Sequence, residues 1–200
     1  MPIDPFQRLR HALAQPAPPS SDYDLNPDFA VAEGRVLRDA AVLLAFQSGP
    51  RGAELLLTKR ASHLRHHPGQ IACPGGKMDP GDATPEAAAL REAAEEIALP
   101  AANVEILGRL TPHETVTGFQ VVPVLARVRT PFTPRAQPGE VAEIFAVPFD
   151  HIANLARYRV ERRRWLGQWR YFYTVPLGPY YIWGATARIL HNLAQRMDQP

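Results

Sequence analysis

A single cysteine, Cys73, stands in the 200 residues. It excludes an internal disulfide and any zinc cluster built on several thiolates. Long apolar runs are missing too. The best, Ala40 to Phe46, falls far short of the ~20 residues that cross a bilayer as a helix. Charge of one sign is not in excess: the formal net charge is +2, which gives no global case for nucleic-acid binding. No internal repeat is visible. The first residues, MPIDPFQRLR, hold no signal-peptide core, and the last, MDQP, hold no peroxisomal address. The expectation is a soluble cytoplasmic protein with no membrane partner.

What is present in quantity is apolar residues, at 46%, enough for one well-buried domain. The 21 prolines are spread along loops rather than gathered into a linker. Residues 1–35 read as an N-terminal extension packed on or near the domain, with a helix at Phe6 to Ala14 and a turn-rich stretch after it. Residues 36–195 read as the domain itself. Val36 to Phe46 and Glu54 to Lys59 are predicted strands joined by the turn Ser48 to Gly52. Further strands are expected at Val104 to Leu110, at Gln120 to Arg129 and after Glu140. A short helix should follow from Phe149, and a last helix should begin at Tyr180.

The chemistry concentrates between Pro74 and Leu99. A glycine pair, Gly75 and Gly76, and a turn-rich loop precede an alanine-rich helix with Thr84 as N-cap and Pro85 in its first turn. Glu92, Glu95 and Glu96 share one arc of that helix, and Ala87, Leu90, Ala94 and Ile97 are expected to pack inward on the other side. Three carboxylates so close repel one another unless a cation sits among them, and carboxylate oxygen suits Mg2+ or Mn2+. Arg91 reaches Glu95 at i+4. An ordinary solvated acidic face is the simpler reading of any isolated glutamate-rich helix.

Gly76, Arg91, Glu92, Glu95, Glu96 and Ile97 resemble the Nudix box. In two places the pattern departs: Asp82 stands where the family has glutamate, one residue further from Arg91 than usual, and Ala98 stands where it has glycine. The upstream segment LLTKRASHLRHHPGQIACPGG, Leu56 to Gly76, is similar to the signature of coenzyme A pyrophosphatases within that family. Ala61 and Cys73 replace its serine and phenylalanine. The stretches TGFQVVPV and IWGAT carry the same likeness.

The resemblance implies an α/β/α fold, a mixed sheet between helices. It also implies metal-dependent hydrolysis of coenzyme A, with acyl or oxidised forms, to 3′,5′-ADP and 4′-phosphopantetheine. Glu92, Glu95, Glu96 and Gly76 would hold the metal, and Glu92 or Glu140 would take a proton from the attacking water; Glu143 is a weaker candidate. Arg60 and Arg65 would grip phosphate in bidentate fashion beside Gly75 and Gly76.

Two competing readings stand beside it: hydrolysis of another nucleoside diphosphate linked to X, such as ADP-ribose or a nucleotide sugar, and a non-catalytic RNA-binding or regulatory protein. The last rests on the arginine–aromatic run Arg157 to Tyr173, which is otherwise an edge hairpin kept soluble by its charges. His63, His66 and His67 lack a partner ligand pattern, and His113 and Glu114 are expected in a polar turn. Trp183 is expected between helix and sheet. The chain is expected as a monomer or homodimer acting on a small molecule.

Overall fold

The computed structural model describes residues 4–29, 34–50, 52–165 and 167–199. Helix α1 (Pro5–Ala14) and strand β1 (Ser20–Ser21) are followed by β2 (Arg38–Gly49), β3 (Gly52–Arg60), β4 (Ile71–Ala72) and β5 (Gly75–Lys77). Then come α2 (Pro85–Ile97), β6 (Val104–Arg109), β7 (His113–Glu114), β8 (Phe119–Val128) and β9 (Val141–Pro148). The short α3 (Phe149–Ile152), the hairpin β10 (Arg159–Trp165) and β11 (Gln168–Thr174), and α4 (Gly184–Met197) complete the chain.

β2 organises the nine-stranded mixed sheet. Along one edge it pairs in parallel with β8. Along the other it pairs with β5 at Ala40 to Val42 and with β3 from Phe46 to Gly49. Between these partners the chain crosses at Pro74, whose carbonyl accepts from the Leu43 N–H at 2.7 Å. Side chains of successive β2 residues point to opposite faces. Leu44 and Phe46 therefore join the core beneath α1, α3 and α4, while Ala41, Leu43 and Ala45 join a second core beneath α2. Both faces of the sheet are covered, which is the expected α/β/α arrangement. None of the described helices is long and apolar enough to cross a membrane.

The β2–β3 hairpin forms as expected, although Arg51 of its turn lies outside the described residues. In three places the structure departs from expectation. α4 starts at Gly184, not Tyr180, because the backbone before it pairs with the end of β11: the Val175 N–H donates to the Ile182 carbonyl at 2.9 Å, and Thr174 bridges Trp183. Residues 20–21, inside the turn-rich lead-in, add a short parallel strand beside β7. The inward face of α2 is also different. Ala88, Ala89, Ala93, Glu96 and Ile97 are buried, whereas Ala94 is exposed and Ala87 and Leu90 are only partly covered. The small alanines let α2 settle close against Ala41 and Ala45, and the acidic stripe is carried inward with them.

The end of α2 keeps a left-handed residue without a glycine. Ala98 has φ 56°, and its N–H caps the Ala93 carbonyl. A Cβ in that conformation costs roughly 1 kcal/mol. Ala98→Gly is therefore expected to raise unfolding stability by about 0.5–1 kcal/mol, read from the midpoint of a urea titration at unchanged slope. A loss of stability would show that the helix end is held by contacts of the Ala98 methyl.

Candidate active site

Thr84 caps α2 with its hydroxyl, accepting from the Ala87 N–H at 3.2 Å, and Pro85 opens the first turn. Glu86, also in that turn, is bound by Arg109 from β6. This end is fixed, so the glutamates one to three turns on meet the sheet at a defined height. They meet it at the glycine pair. A Cβ on Gly75, at φ +154°, would lie 2.4 Å from the Ala41 carbonyl oxygen and 2.6 Å from the Val42 Cα. A Cβ on Gly76 would lie 2.5 Å from Glu92 Oε1. At Gly75 the obstacle is backbone, so only glycine fits against β2 there; at Gly76 a side chain would displace the Glu92 carboxylate.

The three glutamates occupy different environments. Glu96 is 4% exposed and accepts from the Gly75 N–H at 3.2 Å. Burial pushes its carboxyl up to about 7, with Glu92 adding to the push and the Gly75 bond opposing it. Glu92 is partly buried and shifted upward by burial, against the pull of Arg91. Glu95 stays at the exposed rim.

Arg91 ties the group together. Its guanidinium binds Asp82 at 2.8 Å, Glu92 at 2.9 Å, Glu95 at 3.4 Å and the Lys77 carbonyl at 3.3 Å. Asp82 is a shorter side chain than glutamate. It is brought to Arg91 by the Asp79–Asp82 turn, in which the Asp82 N–H donates to the Asp79 carbonyl and the Asp79 N–H to Asp82 Oδ2. The i+4 contact with Glu95 expected from spacing exists, but it is longer than those with Asp82 and Glu92; a fourth carboxylate, Asp79, stands 3.7 Å away.

No three histidine, cysteine or acidic side chains already converge as a cation cage among the described residues. The donor chemistry nevertheless fits a hard dication. Two buried or half-buried carboxylates, both shifted towards the neutral form, stand over a glycine backbone that leaves room beside them. A divalent ion is what reverses such a shift.

Beside this group lies a cavity of about 810 Å³. Gly75, Gly76 and Arg60 line it, and Arg60, at a register shift where β3 leaves β9, keeps a buried Nε without a hydrogen-bond partner. Arg60 is close enough to Glu96 to favour its ionised form, and Glu140 close enough to oppose it. Arg65 is exposed and does not line the cavity. Glu143 accepts from the Tyr180 hydroxyl, whose ring stacks on Phe145, and so is already committed. His113 is buried rather than in an open turn, with Nδ1 3.0 Å from the Ser20 hydroxyl. Cys73 also faces the cavity, but burial pushes its thiol up to about 12 and leaves it inert.

Sequence reasoning missed part of the wall. Arg163, Trp165, Arg170 and Phe172 of the hairpin line the cavity, and Trp183 lines it too, its ring 5.3 Å from that of Phe172. Strand parity carried part of the signal: residues 163, 165, 170 and 172 share one face, and 162, 164 and 169 the other, although Tyr171 and Tyr173 of that second face reach the cavity as well. Leu166, in the tip of that hairpin, lies outside the described residues.

The buried Glu96 has a consequence for stability. Its folded-state pKa lies above the ordinary 4.5, so the unfolded chain releases the proton first as pH rises. Metal-free protein should therefore lose stability between about pH 4.5 and 7, on the order of 2–3 kcal/mol, with nothing further from this group above that. Urea unfolding in EDTA at pH 5 and pH 8 measures this, and Glu96→Gln should flatten the difference. An equal pH slope in both proteins would mean that Glu96 is hydrated and ionised in the fold.

Residues 36–169 match the NUDIX domain family. An uncharacterized Nudix hydrolase NudL from Enterobacter sp. (strain 638) is 44% identical over 165 residues, spanning 78% of this chain and 81% of the relative. The NudL of Salmonella paratyphi B is 42% identical over the same shares. Among solved structures, the Nudix hydrolase RenU from M. smegmatis is 27% identical with a TM-score of 0.49, covering 61% of this chain and 83% of that one. The family match covers more than half of the chain, its acidic helix and glycine pair are assembled in the structure, and the chain belongs to the Nudix family of hydrolases.

Proposed function

We propose that this Nudix hydrolase cleaves the diphosphate bond of coenzyme A and its acyl or oxidised forms, releasing 3′,5′-ADP and 4′-phosphopantetheine. The observation that carries the reading is that Arg60 of the Leu56–Gly76 signature opens onto the same cavity as the Gly75–Gly76 backbone. The cavity's volume is in the range that holds a whole small-molecule ligand. Its wall carries six arginine or lysine side chains and one acidic one, Asp22, which suits a substrate with several phosphates.

Glu92, Glu95, Glu96 and the Gly76 carbonyl would hold Mg2+ or Mn2+. When bound, such an ion neutralises diphosphate charge and acidifies a water. The chain's own residues do the rest. Arg91 positions Glu92 and Glu95 through the bonds described above. Arg60 lies beside Glu96 and offers its unpartnered guanidinium edge to a diphosphate oxygen. Glu140 sits exposed on the loop after Gly139 and has no ion pair among the described residues, so its carboxylate is free to accept the proton of the attacking water. Glu92, already gripped by Arg91, is the alternative base. Glu140→Gln should then lower kcat more than it changes KM.

The test incubates the protein with coenzyme A, dephospho-coenzyme A, ADP-ribose and nucleotide sugars plus Mg2+ or Mn2+, with products identified by mass. Coenzyme A should be turned over fastest, and Glu96→Gln should nearly abolish turnover while the fold persists. Arg60→Ala should cost roughly ten- to a hundredfold in kcat/KM, since a charge-assisted bond contributes about 1.5–3 kcal/mol. Arg65→Ala, off the cavity wall, should cost much less. Faster hydrolysis of ADP-ribose, with the same loss for Arg60→Ala, would keep the chemistry and remove the coenzyme A assignment.

A further inference from the structure

The hairpin β10–β11 forms its own two-stranded sheet, and its two faces differ in what they meet. On one face Arg162 and Arg164 lie over the Trp169 ring, at 4.5 and 5.9 Å from its centroid. None of these three lines the cavity, although Tyr171 and Tyr173 of the same face reach it. On the cavity face, Arg163 pairs directly across the strands with Arg170. Like charges in that position repel, and such a pair is retained against the preference of the sheet. Asp22 meets only one of them, standing 3.4 Å from Arg170. Arg163 has no ion pair among the described residues. Next to the pair on the same face, Trp165 lies under Arg170, with 5.4 Å from guanidinium carbon to ring centroid, and Phe172 meets Trp183.

We infer that the cavity face of the β10–β11 hairpin is a specificity subsite for a phosphate monoester carried on a nucleoside, with Arg163 taking the phosphate and the Trp165–Phe172–Trp183 aromatics taking the ring system. The inference deepens the proposed function and rests on it only for the name of the substrate. A doubly charged monoester answers a like-charged arginine pair better than a singly charged diester does, because it can accept from both guanidinium groups. Aromatic faces beside it give a base something to stack on, without demanding a particular base. Arg60 is then left for the diphosphate, beside the carboxylates, and the two basic elements of the wall divide the substrate's phosphates between them. Arg163 and Arg170 act on binding and selectivity. Neither touches the reacting phosphorus.

The experiment separates this subsite from the substrate assignment by using binding as well as turnover. Calorimetric titration of the full-length protein with adenosine 3′,5′-bisphosphate and with adenosine 5′-monophosphate gives the contribution of the extra monoester. In the wild type the bisphosphate should bind about tenfold tighter or more. Arg163→Gln should bring the two ligands to within about twofold, Arg163→Lys should restore part of the gap, and Arg162→Gln, on the outer face, should leave it unchanged. The ratio of kcat/KM for coenzyme A over dephospho-coenzyme A should fall in parallel in Arg163→Gln, with an unchanged melting temperature. If Arg163→Gln keeps the wild-type preference, or if Arg162→Gln loses as much as Arg163→Gln, the subsite is overturned while coenzyme A hydrolysis stands. If the wild type hydrolyses no coenzyme A yet binds the bisphosphate through Arg163, the subsite stands and the proposed substrate falls. Equal wild-type affinity for the two nucleotides overturns the subsite outright.

Discussion

Glu92 fills the space where a Gly76 side chain would begin, and Val42 with the Ala41 carbonyl fills the space beside Gly75. The first approach brings the Glu92 carboxylate of α2 onto the β5 backbone, and the second brings β5 close against β2. The helix can come so near because Ala88, Ala89 and Ala93 face Ala41 and Ala45 across a core of small residues. A larger residue at any of these positions would push the carboxylates off the glycine backbone before it disturbed anything else. The arrangement is electrostatically expensive. Glu96 is nearly buried and Glu92 partly so, and burial raises both. Arg91 offsets part of that cost by meeting four carboxylates and a carbonyl at once. Strain of this kind is expected where a protein prepares a place for positive charge.

Much of the fold was legible because its signals are local. The Thr84–Pro85 start of α2, the β2–β3 turn and the alternation along β2 need only a few neighbouring residues to specify them. The inward face of α2 was not legible by the same means. An amphipathic rule sends Leu90 inward and the glutamates outward, and the protein does the reverse at Glu96. The rule prices carboxylates as though water must surround them. It fails where the backbone of β5 supplies an N–H to the buried carboxylate, as the Gly75 N–H does for Glu96. The start of α4 was missed for a different reason. Residues 180–183 are Tyr-Tyr-Ile-Trp, a strand-favouring run directly ahead of the helical ATARIL, and their backbone is claimed by the end of β11, a contact no local window contains.

The acidic helix and the cavity beside it are chemically opposed. α2 carries the clustered carboxylates, whereas the cavity wall holds six arginine or lysine side chains, several aromatic rings and one carboxylate, Asp22. A diphosphate requires both, since its negative oxygens need arginine and its cleavage needs a metal that carboxylates can hold. The acidic side belongs to what the family shares. The basic side is built from the Arg60 loop and the β10–β11 hairpin, and loops and hairpins are where one fold acquires different substrates. In the sequence the hairpin's composition was plain, and so was its parity. Which face met the cavity depended on how the hairpin is attached.

That attachment comes from outside the matched family region of residues 36–169. Asn26 lies in the lead-in segment and is 5% exposed. Its side-chain amide donates to the Tyr171 carbonyl at 2.9 Å, and its side-chain carbonyl accepts from the Tyr171 N–H at 2.8 Å. A single amide thus reproduces the pair of bonds that a neighbouring strand would give, on the edge of β11. Four residues before this clamp, Asp22 meets Arg170 and its backbone N–H donates to the Glu114 carbonyl, while Asp24, two residues before it, binds Arg188 of α4. The hairpin is therefore oriented by residues 20–26 as much as by its own strands. Loss of the Asn26 amide would leave the Tyr171 N–H and carbonyl to find water, and β11 would be held only by the Asp22–Arg170 contact, by its pairing with β10 and by the backbone pairing at its C-terminal end. Parity puts Arg163 and Arg162 on opposite faces, so the way the hairpin is attached decides which of them the cavity receives. The lead-in segment sets which charges the cavity contains, although it contributes no carboxylate to the acidic helix.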